Sequence, residues 1–225
     1  MEQSQRFYLV FSRGRGLRFL SHLDMMRLWE RAIRRAGLRL RYSQGYHPHP
    51  RVSLALPLAV GMTAEAEWLE LEIQGPVRLE DIGPRLSPQL PVGLVLHQVR
   101  EAARQAPALA AQLQGGEYEV EVRSPLSPEQ AQDRVAAFLA SESWPLEEER
   151  KGRRRTVDLR RGVASLRVSH WEAGGGRLNM VLRHGPESHV RPDVLSQALG
   201  FGTQVLIQRK RLLFHGPESG NMVVR

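Results

Sequence analysis

Residues 6–12, Arg-Phe-Tyr-Leu-Val-Phe-Ser, form a run of aromatic and aliphatic strand formers, and the Arg13-Gly14-Arg15-Gly16 that follows is turn chemistry. A first strand ends there. Ser21 stands three residues before Asp24, the spacing of a capping box, and Leu23, Met26, Leu28, Ile33 and Ala36 supply apolar turns until Gly37, which predicts a helix over about 22–36. Residues 38–42 and 51–56 read as strand segments. Between them, Ser43-Gln44-Gly45-Tyr46-His47-Pro48-His49-Pro50 carries two prolines that cannot donate to a ladder, so a rigid loop is expected. Residues 68–73 alternate with period two, 79–86 suit a short helix and 92–99 return as a strand. The order β-α-β-β-α-β is the ferredoxin-like succession.

A stretch over 102–116, rich in Ala, Gln and Gly, reads as a linker. A second pass follows it. Glu117-Tyr118-Glu119-Val120-Glu121-Val122 alternates, Ser127-Pro128-Glu129 opens a helix running to about Ser141, and short strands are expected near 156–159, 164–170 and 178–183. Arg191-Pro192-Asp193 opens another helix that ends at Gly200, and 205–214 closes as a strand. The expected fold class is therefore α+β, with two tandem ferredoxin-like units whose antiparallel sheets are each backed by helices. The units fall at 1–101 and 117–225, the second with an extra hairpin between its helices.

Charge changes this picture. The chain has a net charge of +8, and the first fifty-one residues alone hold eleven arginines against Glu2, Asp24 and Glu30, a net of +8. The remaining 174 residues balance, 21 basic against 21 acidic. So concentrated a field implies an anionic partner. All basic residues but Lys151 and Lys210 are arginine, whose planar fork grips phosphate oxygens bidentately. Codon bias explains arginine over lysine everywhere, but not the crowding of eleven into one quarter of the chain.

At 225 residues the chain is long enough for one large core or two small ones. With no cysteine, it has no disulfide scaffold, thiolate nucleophile or cysteine-held cluster of its own. The start has no signal-peptide layout, and no stretch reaches the ~18 uncharged apolar residues of a membrane helix, so a cytoplasmic protein without a membrane partner is expected.

Arg13, Arg15 and Arg18 fall in the first loop, where Gly14 and Gly16 permit close approach of the backbone to a ligand. Arg27, Arg31, Arg34 and Arg35 stripe the polar face of the first helix. The alternative for the loop is a solvated basic turn, since Gly-Arg-Gly lacks the Lys-Ser/Thr that ends a P-loop. Tyr42, Tyr46, His47 and His49, followed by Arg51, supply rings for stacking bases beside arginine for phosphate, the combination used on single-stranded RNA. A proline-locked turn with water-facing histidines is the alternative there. His22, His47 and His49 also admit an acid–base or three-imidazole reading, although nothing in the pattern marks a partner for the other nitrogen of each ring. In the second half, the run Arg150-Lys151-Gly152-Arg153-Arg154-Arg155 follows Glu147-Glu148-Glu149, which predicts either a self-neutralised charged hairpin or an auxiliary nucleic-acid contact.

The segments Arg18-Phe19-Leu20-Ser21-His22-Leu23-Asp24, Arg34-Arg35-Ala36-Gly37-Leu38, Tyr42-Ser43-Gln44-Gly45-Tyr46-His47-Pro48-His49-Pro50-Arg51 and Ala55-Leu56-Pro57-Leu58-Ala59-Val60-Gly61 resemble the radical-SAM-linked protein family. The likeness continues through Glu67-Trp68-Leu69-Glu70 and more loosely at Arg191-Pro192-Asp193-Val194-Leu195. It implies a bacterial accessory to B12-binding-type radical SAM proteins, of a family often encoded near ribonucleases of the E/G type, and it supplies no catalytic residues. Two tandem ferredoxin-like units with a basic face are also similar, at the level of fold, to CRISPR repeat-processing endoribonucleases.

The expected function is an RNA-binding module that presents RNA or a ribonucleoprotein to a partner radical SAM enzyme. In it Arg13, Arg15, Arg18, Arg27, Arg31, Arg34 and Arg51 hold phosphates, while Tyr42, Tyr46, His47 and His49 contact bases. No metal and no cofactor are expected. The alternatives are a metal-independent endoribonuclease using His22 or His47, with His49 as a further candidate, and a protein-docking module for the radical enzyme.

Overall fold

The computed structural model describes residues 4–103, 105–150, 152–185 and 188–215. Lys151 of the basic run and the stretch 216–225 of the expected second unit lie outside them. The fold is mixed α+β, mostly antiparallel sheet backed by helices, and the chain divides into two compact units. The first runs to Leu113 and takes in His215; the second is Gln114–Phe214. Among the described residues, no helix is long and apolar enough to cross a membrane.

The first unit comprises β1 (Ser4–Arg13), α1 (His22–Arg35), β2 (Val52–Leu54), β3 (Thr63–Gln74), α2 (Leu79–Leu86) and β4 (Leu94–Glu101). Its strands lie in the order β4-β1-β3-β2, with each neighbouring pair antiparallel. Residues 7–11 of β1 are hydrophobic without alternation, because both faces of that strand are covered. Phe7, Leu9 and Phe11 meet Met25, Trp29, Ala32 and Ile33 of α1 and Ile82 and Leu86 of α2. Phe11 and Trp29 pack edge to face, with centroids 4.8 Å apart.

α1 begins where its cap places it. The Ser21 hydroxyl accepts from the Asp24 N–H at 3.2 Å, satisfying one of the orphan donors of the first turn. At its other end Gly37 adopts φ +69°, its N–H bonds to the Arg34 carbonyl and the Leu38 N–H to the Ile33 carbonyl, a Schellman stop.

The stretch read as a linker is anchored. Arg6 of β1 donates to the carbonyls of Ala103 and Ala106, the Leu109 N–H donates to Glu70 of β3 at 2.6 Å, and Leu109 is buried. A short 3-10 turn, Leu109–Gln112, then leads directly into β5 (Leu113–Arg123), which starts earlier than the alternation from Glu117 implies. Glycines 115 and 116 hid that start, since they carry no side chain to continue the pattern.

The second unit continues with α3 (Pro128–Ala140), the hairpin β6 (Pro145–Arg150) and β7 (Arg153–Asp158), the single turn α4 (Leu159–Gly162), β8 (Val163–Glu172), β9 (Gly175–Gly185), β10 (Ser188–His189), α5 (Pro192–Ala198) and β11 (Thr203–Phe214). Its strands follow the order β8-β9-β5-β11, with β10 extending the end of β9 and β6–β7 forming a separate ribbon. α3 has a full capping box: Gln130 N–H to the Ser127 hydroxyl, and Ser127 N–H to the Gln130 side chain.

Candidate nucleic-acid interface

Chain leaving β1 turns through 14–21 before α1 begins, and its carbonyls need donors that no ladder supplies. Arg13 supplies them. Its Nε donates to the Leu17 carbonyl at 3.0 Å, and a terminal nitrogen donates to the carbonyls of Arg18 at 2.7 Å and Leu20 at 2.9 Å. The residue is 2% exposed. This corrects the expectation that Arg13 binds phosphate: a five-donor guanidinium is the side chain best able to cap several carbonyls at once, and here it faces inward. Gly14 likewise serves the fold, its N–H bonding to the Gly93 carbonyl at 2.8 Å, where an added Cβ would meet that oxygen at 3.3 Å. The Gly61 N–H adds a further bond to the Arg18 carbonyl at 2.7 Å.

The pinned loop turns other groups outward. Arg15 is exposed and, among the described residues, has no carboxylate within ion-pair distance. Arg18 donates to the Arg15 carbonyl at 3.4 Å and lies over the ring of Phe19, 4.5 Å from its centroid. Phe19 is 68% exposed.

On α1 the buried positions Met25, Trp29, Ala32 and Ile33 set the inward face, and Arg27, Arg31 and Arg34 fall within an arc of about 60° on the opposite side. Arg34 is unpaired among the described residues. Among the described residues Arg31 donates only to the Arg27 carbonyl, at 3.2 Å, and Arg27 sits 3.9 Å from Asp24. The Ser21 hydroxyl, and after it the Arg27 and Arg31 charges, hold the Asp24 carboxyl below its ordinary value. Arg35 leaves this stripe, donating to the side chain and carbonyl of Gln89 at 3.3 and 2.6 Å.

Residues on both sides of the proline-rich loop pair with the end of β3. The Gln74 N–H binds the Arg39 carbonyl, the Arg41 N–H binds Glu72, and the Glu72 N–H binds Arg51. Residues 42–50 are thus an excursion from one edge. Its neck is closed by Ser43 N–H to the His49 carbonyl at 2.8 Å and His49 N–H to the Ser43 hydroxyl at 2.9 Å. Tyr42, Tyr46, His47 and His49 are exposed on it, and Arg51 at its base has no ion pair among the described residues, while Arg41 is held by Glu72 at 2.9 Å. Only 52–54 of the expected second strand segment forms regular ladder, and 38–42 contributes isolated bridges at Leu40 and Tyr42.

The predicted residues therefore gather in two clusters joined by a stripe. Arg15, Arg18 and His22 stand near the start of β3, where Gly61 reaches Arg18; the excursion stands near its end. Nine to ten residues at ~3.3 Å each put about 30 Å between them, and α1, 14 residues and about 21 Å long, carries Arg27, Arg31 and Arg34 over part of that interval. His22 is consequently remote from His47 and His49, which removes the three-imidazole set. Among the described residues, no group of His, Asp and Glu is placed to hold a metal ion.

Two surface groups escaped sequence reasoning. Phe19 reads as one apolar residue among several, and only the Arg13 bonds on either side of it explain its exposure. Arg39, exposed and without an ion pair among the described residues, looks in sequence like any strand-edge charge. In the second unit the basic run meets its acidic neighbour across the β6–β7 ribbon, where Arg155 pairs with Glu148 at 2.8 Å and Arg154 stands opposite Glu149.

No curated protein matches the sequence. A crystal structure ascribed to a glycine cleavage system transcriptional repressor aligns over 94% of this chain and 99% of that one, at 13% identity and a TM-score of 0.27, too low to bear on fold or function. The family described as an uncharacterized protein conserved in bacteria (DUF2344) matches residues 6–192, most of the chain, and the chain belongs to that family.

Proposed function

We propose that the chain is a cytoplasmic RNA-binding accessory module, built from two tandem ferredoxin-like units, that presents RNA or a ribonucleoprotein to a partner radical SAM enzyme. One observation carries the RNA reading: along the first unit Arg15, Arg34 and Arg51 are exposed and lack a carboxylate among the described residues, and Arg18 and Arg31 donate only to main-chain carbonyls. Unneutralised arginines spread along about 30 Å suit the phosphates of a short single strand. Tyr42, Tyr46, His47 and His49 contact bases at one end of that track. The link to a radical enzyme rests on the sequence resemblance, and the absence of cysteine means that a partner must supply any cluster.

Anisotropy of a labelled single-stranded RNA twelve-mer titrated with the protein across 50–300 mM KCl tests this. Five contacts by Arg15, Arg18, Arg31, Arg34 and Arg51 give a slope of log affinity against log salt near −3.5, at ~0.7 per phosphate. A flat dependence, or no binding at the lowest salt, overturns it. Partnership is tested separately, by co-expression with a B12-binding-type radical SAM protein and co-purification with and without ribonuclease. Loss of the complex on nuclease treatment fits bridging through RNA; a complex untouched by nuclease points to direct docking instead.

A further inference from the structure

We infer that Phe19 is a stacking platform for one unpaired nucleobase, at the opposite end of the arginine track from the tyrosines. This rests on the RNA reading above and adds to it a recognition residue that the basic pattern did not contain. Water-exposed phenylalanine is unfavourable, and a loop free to move would fold the ring against nearby apolar groups. Phe19 is prevented from doing so. Arg13, itself buried, binds the carbonyls of the residues directly before and after it, Arg18 and Leu20, and Gly61 binds Arg18 again, so the main chain is fixed on both sides of the ring.

The ring is also backed. The Arg18 guanidinium lies 4.5 Å from its centroid and so occupies one face, leaving the other to solvent. A base laid on the open face completes a stack of base, phenyl ring and guanidinium, while Arg15 stands by for the adjoining phosphate. The cations favour a nucleic acid over an apolar protein side chain: a hydrophobic anchor needs no phosphate-binding group in the same loop, and a base joined to phosphate does. Stacking alone reads no sequence, so the preference expected is for an unstacked base of any kind, strongest for the larger purine face.

The test uses the full chain and a twelve-residue oligoadenylate, with Phe19→Ala, Phe19→Trp and the double variant Arg34→Glu/Arg51→Glu, each checked for an unchanged melting temperature. Loss of one stacked base weakens binding about 5- to 150-fold in Phe19→Ala, leaves the salt slope as in the wild type, and is restored in Phe19→Trp. The Trp variant's fluorescence is quenched by the oligonucleotide and not by polyphosphate of matching charge. Wild-type affinity in Phe19→Ala, with weakened binding in the arginine double variant, overturns the stacking role and leaves the RNA reading standing. Equal affinity of the wild type and the arginine double variant overturns both. Phe19→Ala that binds RNA normally but no longer co-purifies with the radical enzyme makes the residue a protein anchor, which also overturns the proposal.

Discussion

Arginines of the two units are put to different uses. In the second unit the fold consumes many of them: Arg155 pairs with Glu148, Arg161 with Asp158, Arg191 with Asp193 and Arg211 with Glu117, and Arg134, Arg160 and Arg183 cap carbonyls at the ends of helices and strands, while Arg123, Arg154, Arg167 and Arg177 stay exposed and without an ion pair among the described residues. In the first unit only part of the set is so consumed. Arg6, Arg13, Arg35, Arg41 and Arg85 bind carbonyls, an amide or carboxylates, and Arg15, Arg18, Arg31, Arg34, Arg39 and Arg51 are left over on the surface. In the second unit 13 acids stand among 16 basic residues, so many can pair; three acids against eleven arginines in the first fifty-one residues cannot do the same. The comparison teaches that an arginine excess becomes a binding surface only after the carbonyls and carboxylates of the fold have taken their share.

The largest expected effect falls on an arginine of the first unit that belongs with the consumed set. Arg13→Met removes three hydrogen bonds to carbonyls of the β1–α1 loop, of which Leu17 keeps the Leu20 N–H and Arg18 keeps the Gly61 N–H, and should cost about 3 kcal/mol in urea unfolding, at ~1 kcal/mol per lost bond. A change under about 0.5 kcal/mol would move Arg13 out of that set. Next in size, Arg34→Glu/Arg51→Glu should weaken single-stranded RNA about tenfold or more and flatten the salt slope by ~1.4, with little change in stability. The matched control in the second unit, Arg155→Ala, should do the reverse: at most about 1 kcal/mol of stability lost, because its pair with Glu148 is partly exposed, and no change in RNA affinity. Should Arg155→Ala weaken RNA as much as the first-unit variant, the distinction between the two units fails.

The smallest effect is a pH dependence. The folded-state value of Asp24 is depressed, chiefly by the Ser21 hydroxyl, so its contribution is present above the unfolded carboxylate value and is lost as pH falls through the folded one. Urea midpoints taken downward from neutral pH should therefore decline in the acid range by less in Asp24→Asn than in the wild type. Parallel curves would show that the cap does not respond to the charge of Asp24.

Much of the architecture was legible because local chemistry decides it. Ser21 with Asp24 and Gly37 bracket α1, Ser127-Pro128 opens α3, and 79–86 is a helix in both sequence pattern and structure. β3 was read short, from Trp68, because residues 63–66 are small or mixed and their burial depends on strands far away in the chain. Of the site, the exposed stripe Arg27, Arg31 and Arg34 was legible from helical spacing. The roles of Arg13 and Phe19 were not: the arginine at the end of β1 lies inside and the phenylalanine six residues on lies outside, the reverse of what their residue types imply.

What the amino-acid sequence determined by itself was the quantity and sign of charge, the start and stop of helices, and the alternation of strands, since each depends on residue type and near neighbours alone. Tertiary structure decided which charges remain free to meet a ligand, because a guanidinium that finds a carbonyl or carboxylate within 3 Å is spent, and such meetings are between residues like Arg35 and Gln89, or Arg6 and Ala106, that only folding brings together.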